Sequence, residues 1–505
     1  MTRRKTLLVL TGLLISIGRI AWGTDAQQKN SPDSGLSSET VGAFEAWAPG
    51  PSSKNFDSTP LWYSQGETTR SVPGPSSKNF AVRSDEPSSP SPDAALQPRA
   101  SVDFSCSASG NMNWITNSSS FEIVRQCTLT VPSEGFLFIS ANGSVFNTTG
   151  EYEGQFRIDV DNTAGDANID RWVNVYNDSG DGSDLSVAIS VLKEVTAGTH
   201  TVYLLGRRYS GSGEVGVYDP TLSAIFAPLT QVCGSSGNLT WTTTSSQFEI
   251  LRQCTIEVPT SGRLLLSADG SLFNSSGEYE GQFRIDIDST AGDANIDRWV
   301  NVYNDSGDGS DESVALTVAK SVSAGTHTVY FLGKRYSGAG EVGVYDPTLS
   351  AIFVPDLGSC GISGNASWYT TSTSNEVIRQ CTIEVPKAGP IFISADGSLF
   401  NSNGEYEAQF EIDIDGIAGD PSIDRWVNVY NDSGDGTDRS VSLSVIKEVT
   451  AGTHTVYFLG KRFSGAAEVG MYDATLSAWG ASLVIFSSGF ESQSTSDWAM
   501  QTPPP

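Results

Sequence analysis

From residue 101 onward the chain alternates short apolar-rich runs with turn residues. Between 254 and 355 the runs CTIEVP, GRLLLSADGSLFN, YEGQFRIDID, RWVNVYND, ESVALTVAKSV, THTVYFLGKRY and EVGVYDPTLSAIFVP are rich in Val, Ile, Thr and aromatics, and Gly, Asp, Ser and Asn separate them. That composition predicts strands joined by turns. In QFRIDID, Phe283, Ile285 and Ile287 alternate with Arg284, Asp286 and Asp288, the period-two signature of a strand with one buried face. No stretch of comparable length carries the 3.6-residue period of a helix. The fold class is therefore all-β, an antiparallel β-sandwich of jelly-roll type with about eight strands in roughly 120 residues.

The pattern repeats. Three copies follow one another with a period of 127 and no insertions across the matched blocks, which marks a tandem duplication. The expected divisions are a leader over 1–23, a low-complexity, disordered N-terminal linker over 24–100, sandwiches over 101–228, 229–355 and 356–482, and a tail over 483–505. The linker is rich in Ser, Pro, Gly and Asp and contains PGPSSKNF twice, so it has too little apolar surface to offset chain entropy. A 127-residue unit is long enough for its own core. Three independent beads are expected, since solenoid repeats are shorter and share a core.

The N-terminus reads MTRRK, then LLVLTGLLISIG, then small residues suited to cleavage after Gly23 or Ala26. This is the pattern of a secretory signal peptide. Its apolar core is too short for a bilayer of about 30 Å, so no membrane span is expected. Cleavage after Gly23 leaves 26 basic against 58 acidic residues, a formal charge of −32. Such a surface repels nucleic acid and attracts divalent cations or basic partners. The six cysteines, Cys106 and Cys127, Cys233 and Cys254, Cys360 and Cys381, lie 21 apart within each pair. With export, this spacing predicts one disulfide per copy.

Each copy places seven Asp within 26 residues, in the second copy Asp286, Asp288, Asp293, Asp297, Asp305, Asp308 and Asp311. Candidate metal ligands are the Asp residues of the NDSGDG[ST]D turns: Asp178, Asp181 and Asp184, then Asp305, Asp308 and Asp311, then Asp432, Asp435 and Asp438. Their spacing differs from that of an EF-hand, but a Gly-rich turn can bend carboxylates and carbonyls around calcium. The same residues also suit a solvated β-turn. Both readings stand on the sequence.

Other positions separate need from tolerance. Leu185, Glu312 and Arg439 occupy one position after the acidic turn, and the variety predicts an exposed site with no fixed ligand. Arg157 and Arg284 are matched by Glu411, which argues against a buried ion pair shared by all copies. His200, His327 and His454 start a strand in AGTHTVY. With no Gly-x-Ser-x-Gly elbow or His-Glu-x-x-His helix in the chain, they are expected to sit at a rim without catalysis. Glu278 and Glu280 could be glycosidase carboxylates only across a sugar-sized cleft. Candidate binding residues lie in three basic-aromatic turns: Arg208 and Tyr209, Arg335 and Tyr336, Arg462 and Phe463, where loops carry recognition and Arg and Tyr favour interfaces.

The block AGTHTVYFLGKRYSG with EVGVYDPTLSAIFVP resembles the C-terminal half of secreted and phage-borne jelly-roll domains, loosely like the complement-globular-head and tumour-necrosis-factor-like folds. The resemblance covers a third of each unit and implies binding of proteins or glycans without catalysis. VIFSSGFESQSTSDWAM resembles the Gly-Phe-Glu…Trp tail of secreted proteobacterial proteins. The expectation is an extracellular or cell-surface, multivalent adhesion or recognition protein with a surface glycan or protein ligand, calcium as a candidate stabiliser, and no catalytic residues. A structural matrix or surface-layer component is the alternative, and a glycan-active enzyme the third choice.

Overall fold

The computed structural model describes residues 104–480 apart from 148–151, 176–183, 275–276, 303–310, 357, 401–403 and 430–437. The leader, linker and tail, and Asp178, Asp181, Asp305, Asp308, Asp432 and Asp435, lie outside the described residues. In the first copy the strands are β1 (Ser105–Ala108), β2 (Asn113–Thr116), β3 (Glu122–Val131), β4 (Gly135–Asn147), β5 (Tyr152–Val160), β6 (Arg171–Val175), β7 (Leu185–Val195), β8 (Gly198–Gly211) and β9 (Val215–Ala227). They form two antiparallel sheets. One has the order β1, β9, β4, β7 with β2 also on β9, and the other the order β3, β8, β5, β6. The second and third copies repeat this arrangement, so the three sandwiches expected from the sequence are present.

Each sandwich has its own core, in the first copy built around Leu137, Ile139, Phe156, Ile158, Val202 and Phe226. Disulfides join Cys106 to Cys127, Cys233 to Cys254 and Cys360 to Cys381, as their spacing predicts. Each ties a terminal strand of one sheet to an edge strand of the other, β1 to β3 in the first copy. A bridge of this loop length stabilises by about 3 kcal/mol on the chain-entropy estimate.

The copies are not independent beads. Strand β7 and its equivalents Glu312–Val322 and Arg439–Val449 pack against one another, and the bonds between copies run round a closed cycle. Ala188 N–H donates to Ser313 Oγ, Ala315 N–H to Ser440 Oγ, and Ser442 N–H to Ser186 Oγ, each at 3.3 Å. The first copy thus meets the second, the second the third, and the third the first, as a pseudo-threefold ring. Strand β7 explains how: Leu185, Val187, Ile189 and Val191 belong to the core of its own sandwich, while the alternating Ser186, Ala188 and Ser190 are also buried. A strand buried on both faces carries no charged, solvent-facing alternation, and here the second face holds only small residues over 186–190. A further apolar cluster draws on all three copies, with Phe138, Leu265, Phe392, Ile225, Ile352 and Trp479.

A buried arginine crosses each junction. Arg171, Arg298 and Arg425 each have 0% exposure. Arg171 Nε donates to Asp269 at 2.9 Å and its Nη1 to the Asp346 carbonyl at 3.0 Å, both in the second copy. Arg298 pairs with Asp396 and donates to the Asp473 carbonyl at 2.8 Å in the third. The accepting carbonyls belong to aspartates with positive φ, Asp346 at 46° and Asp473 at 49°, a conformation Asp tolerates better than most residues. Arg425 closes the ring on the first copy, but there the carboxylate is replaced by Asn142, which accepts from Nε at 3.0 Å. Burial lowers Arg425 to about 10, against the opposing pull of the Asp219 and Asp424 carboxylates.

Two outcomes follow for thermal denaturation of the full chain. Arg298→Met leaves Asp396 buried and uncompensated, and is expected to cost about 3–5 kcal/mol. Asn142→Asp supplies Arg425 with a carboxylate and offers the Ser444 N–H the acceptor that Asp269 gives Ser190, so it is expected to stabilise by about 1–3 kcal/mol. A neutral or harmful Asn142→Asp would contradict this description of the closing junction.

Candidate functional site

Each ring junction brings together a tryptophan, two tyrosine-position aromatics and a pair of acids. Strand β6 begins with the crossing Arg171, so Trp172 falls on its opposite, half-buried face. Trp172 N–H donates to Ser271 Oγ at 2.9 Å, and its ring meets Tyr345 edge-on at 5.6 Å. Tyr345 stacks on Phe273 at 3.8 Å. The next junction repeats this with Trp299 against Tyr472 at 6.0 Å and Tyr472 on Phe400 at 3.8 Å. At the closing junction Trp426 N–H donates to Ser144 Oγ at 2.7 Å, Tyr218 stacks on Phe146 at 3.7 Å, and Trp426 meets Phe463 edge-on at 4.3 Å.

The last residue of each acidic turn lies at these junctions. Asn174 N–H donates to the Asp311 carbonyl at 3.0 Å, Asn301 to Asp438 and Asn428 to Asp184, each at 2.9 Å. The carboxyl of Asp311 meets Glu153, that of Asp438 meets Glu280, and that of Asp184 meets Glu407, always from the neighbouring copy. A serine anchors each Glu: Ser210 to Glu153 at 3.0 Å, Ser337 to Glu280 and Ser464 to Glu407 at 2.9 Å. Burial first, then the facing Glu, pushes Asp184 and Asp438 up to about 8 and Asp311 well above the carboxylate range. Two close carboxyls in a half-buried site favour sharing a proton over carrying two charges. Among the described residues, no group of three or more His, Cys, Asp or Glu is placed to hold a metal ion. Asp184, Asp311 and Asp438 therefore meet a neighbour's glutamate, and the other six turn aspartates lie outside the described residues.

The basic-aromatic turns divide in two. Tyr209, Tyr336 and Phe463 are 55%, 58% and 50% exposed, each the extra residue of a bulge where the strand pairing slips, between Arg208 and Ser210 in the first copy. Bulges re-aim side chains in this way. Arg208, Arg335 and Arg462 instead fold back on the following turn, donating to the carbonyls of Gly213 and Gly340 at 3.2 Å and of Ala466 at 3.3 Å. The preceding cations, Arg207 and Lys334, lie over Phe121 and Phe248 at 4.6 and 4.7 Å.

Two expectations about charged positions change. Leu185, Glu312 and Arg439 are not exposed: Leu185 is 2% exposed, and the Glu312 and Arg439 side chains, 13% each, approach to 3.8 Å across a junction. The reason is the ring, which buries the start of strand β7 and its equivalents. Glu278 precedes its strand, which begins at Tyr279, so it does not share a strand face with Glu280, whose partner is Asp438. Arg157 and Arg284 do hold ion pairs, with Asp170 and Asp297. In the third copy Glu411 takes Lys461 at 3.2 Å instead, and burial, with Glu411 nearby, pushes Asp424 up to about 7.

The histidines act as clamps. In His200, Nδ1 meets Asp161 at 2.6 Å and Nε2 the Thr196 carbonyl at 2.8 Å. His327 meets Asp288 and the Ser323 carbonyl, and His454 meets Asp415 and the Thr450 carbonyl. Carboxylate and carbonyl only accept, so both ring nitrogens carry protons and the imidazolium is favoured. All three are raised, His327 and His454 chiefly by the carboxylate, and His200 by Asp161 and Thr196 against its burial. Neither nitrogen is left to take a proton from a substrate.

The sequence reading missed the tryptophans, Tyr218, Tyr345, Tyr472, Glu153 and Glu407, and weighed Glu280 only as a glycosidase acid. The available signal was RWVNV, where a large aromatic repeats at the half-exposed position of a short strand.

No protein-family model matches the chain, and no curated protein does. Among solved structures, the N-terminal CBM22-1-CBM22-2 tandem domain of Paenibacillus barcinonensis Xyn10C is similar at 9% identity, over 50% of this chain and 94% of its own, with a TM-score of 0.14. Sulfolobus Turreted Icosahedral Virus gives 10% identity over 70% and 83%, with a TM-score of 0.17. The infectious bursal disease virus VP2 subviral particle gives 10% over 73% and 81%, with the same TM-score. Scores this low bear on none of the chemistry at the junctions.

The acid pairs set a pH dependence. A carboxyl raised in the folded state contributes stability that is full below its unfolded value, near 4, and is lost as pH rises through its folded value. The three pairs should therefore lower the melting temperature progressively from about pH 4 to about 8, with the raised histidines adding a loss above their ordinary value. Changing Glu153, Glu280 and Glu407 together to Gln removes the facing charges and should flatten the decline between pH 5 and 8. An unchanged profile in that variant would contradict proton sharing.

Proposed function

We propose that this chain is an exported, multivalent adhesion or recognition protein that binds a surface glycan or protein through three equivalent faces of one ring, without catalysis. The observation that carries the reading is the threefold repetition of a half-exposed aromatic, Tyr209, Tyr336 or Phe463, held out by a bulge beside a junction lined with Trp and Tyr. Aromatics of this kind offer large contact area at low entropic cost. The three disulfides support export, and the commitment of both nitrogens of each histidine supports binding over acid-base chemistry. The paired five- and four-stranded antiparallel sheets support a jelly-roll-like sandwich. Calcium enters as a stabiliser: an ion at an Asp–Glu pair would take the place of the shared proton, and melting at pH 8 with calcium or with chelator tests it.

Tethered equivalent sites multiply weak affinities. Full-length variants with one, two or three of Tyr209, Tyr336 and Phe463 changed to Ala should lose binding stepwise on a glycan and surface-protein array. Between three sites and one, the loss should reach about 10²- to 10⁴-fold on a multivalent target. Undiminished binding by the triple variant would overturn the assignment of these faces. Absence of any ligand across a broad array would favour a structural matrix component, and turnover of a glycan would favour an enzyme.

A further inference from the structure

The junctions repeat almost residue for residue around the ring, with one position as the clearest exception. Ser186, Ser313 and Ser440 are identical and accept equivalent bonds at 3.3 Å from the preceding copy round the ring. The residue immediately before each is Leu185, Glu312 or Arg439. All three start a strand that packs at the centre of the ring, and Arg439 Nη2 approaches Glu312 Oε1 to 3.8 Å. Leu185 belongs to the first copy's apolar core. Among the described residues, Asp311 lies beside Glu312, and Asp438 precedes Arg439 in the chain.

A ring made of three copies of the second sandwich would bring Glu312 against Glu312, and one made of the third would bring Arg439 against Arg439. Like charges in such a site carry a desolvation cost with no compensating attraction. The pair is not needed for stability either, because apolar residues of similar volume are often as good or better in place of a buried ion pair. What a buried pair can supply is discrimination between partners. We propose that Leu185, Glu312 and Arg439 form an order code, which makes a ring of one first, one second and one third sandwich better than a ring that repeats one sandwich type from several copies of the chain. The partner that fits each central face is thereby the sandwich type next in chain order, which the same molecule supplies, and the code acts most strongly where the second meets the third.

The test uses full-length chains carrying two different affinity tags, denatured, mixed, reoxidised and refolded at high concentration. Mixed assemblies are counted by sequential capture and sized by light scattering. Wild type should return as single chains. Glu312→Leu with Arg439→Leu should melt no lower than wild type, yet form at least about tenfold more mixed assembly, a loss of about 1.4 kcal/mol of discrimination. Arg439→Glu alone should melt lower, and the exchange Glu312→Arg with Arg439→Glu should recover most of that loss. The proposal is overturned if the double Leu variant mixes no more than wild type. It is equally overturned if the exchanged pair melts no higher than Arg439→Glu.

Discussion

The arginine at the head of each RWVNV strand is the interaction on which the rest of the architecture depends. A guanidinium with no exposure to water must find acceptors for its donors. Arg171, Arg298 and Arg425 each find one at the aspartate preceding them and further ones in the neighbouring sandwich. No sandwich can satisfy its own arginine alone. Three such demands, each met one copy further on, close into a ring, and the serine-lined faces of strand β7 and its equivalents follow because the arginines bring them together.

Closure then creates what no single copy has. The Asp184–Glu407, Asp311–Glu153 and Asp438–Glu280 pairs exist only across junctions, as do the contacts of Trp172 with Tyr345 and Trp299 with Tyr472. The exposed aromatics are turned into a fixed triangle by the same packing. Stability, proton sharing and site geometry are thus coupled through one set of interfaces. At the arginine crossing, the closing junction differs from the other two by a carboxamide, Asn142 in place of an aspartate, and it is also the junction with no peptide linker to hold it.

Much of each sandwich was legible because its signals are local. Period-two patterns such as QFRIDID fix a strand and its buried face, and cysteines 21 apart in each copy allow the simple pairing that the structure has. The ring was less legible because its hydrogen bonds join residues 70 or more positions apart, with nothing local to mark them. Two clues were present. Asp269 and Asp396 sit inside apolar runs, LLLSADGSLF and IFISADGSLF, where an aspartate has no reason to be unless a cation reaches it. LSVAISV alternates its apolar residues with only Ser and Ala, without the charged or large polar residues of a strand with one wet face. Variation at 185, 312 and 439 read as tolerance because a surface position was assumed; at a symmetry axis, the same variation is what lets opposite charges meet.

The central claim is that the three sandwiches form one mutually dependent body. Calorimetry of the full chain tests it most directly, by comparing the van't Hoff enthalpy with the calorimetric enthalpy of unfolding. A ring held by crossing arginines should melt as one cooperative unit, with a ratio near about 1. A ratio near about one third, the signature of three similar domains melting independently, would contradict the account.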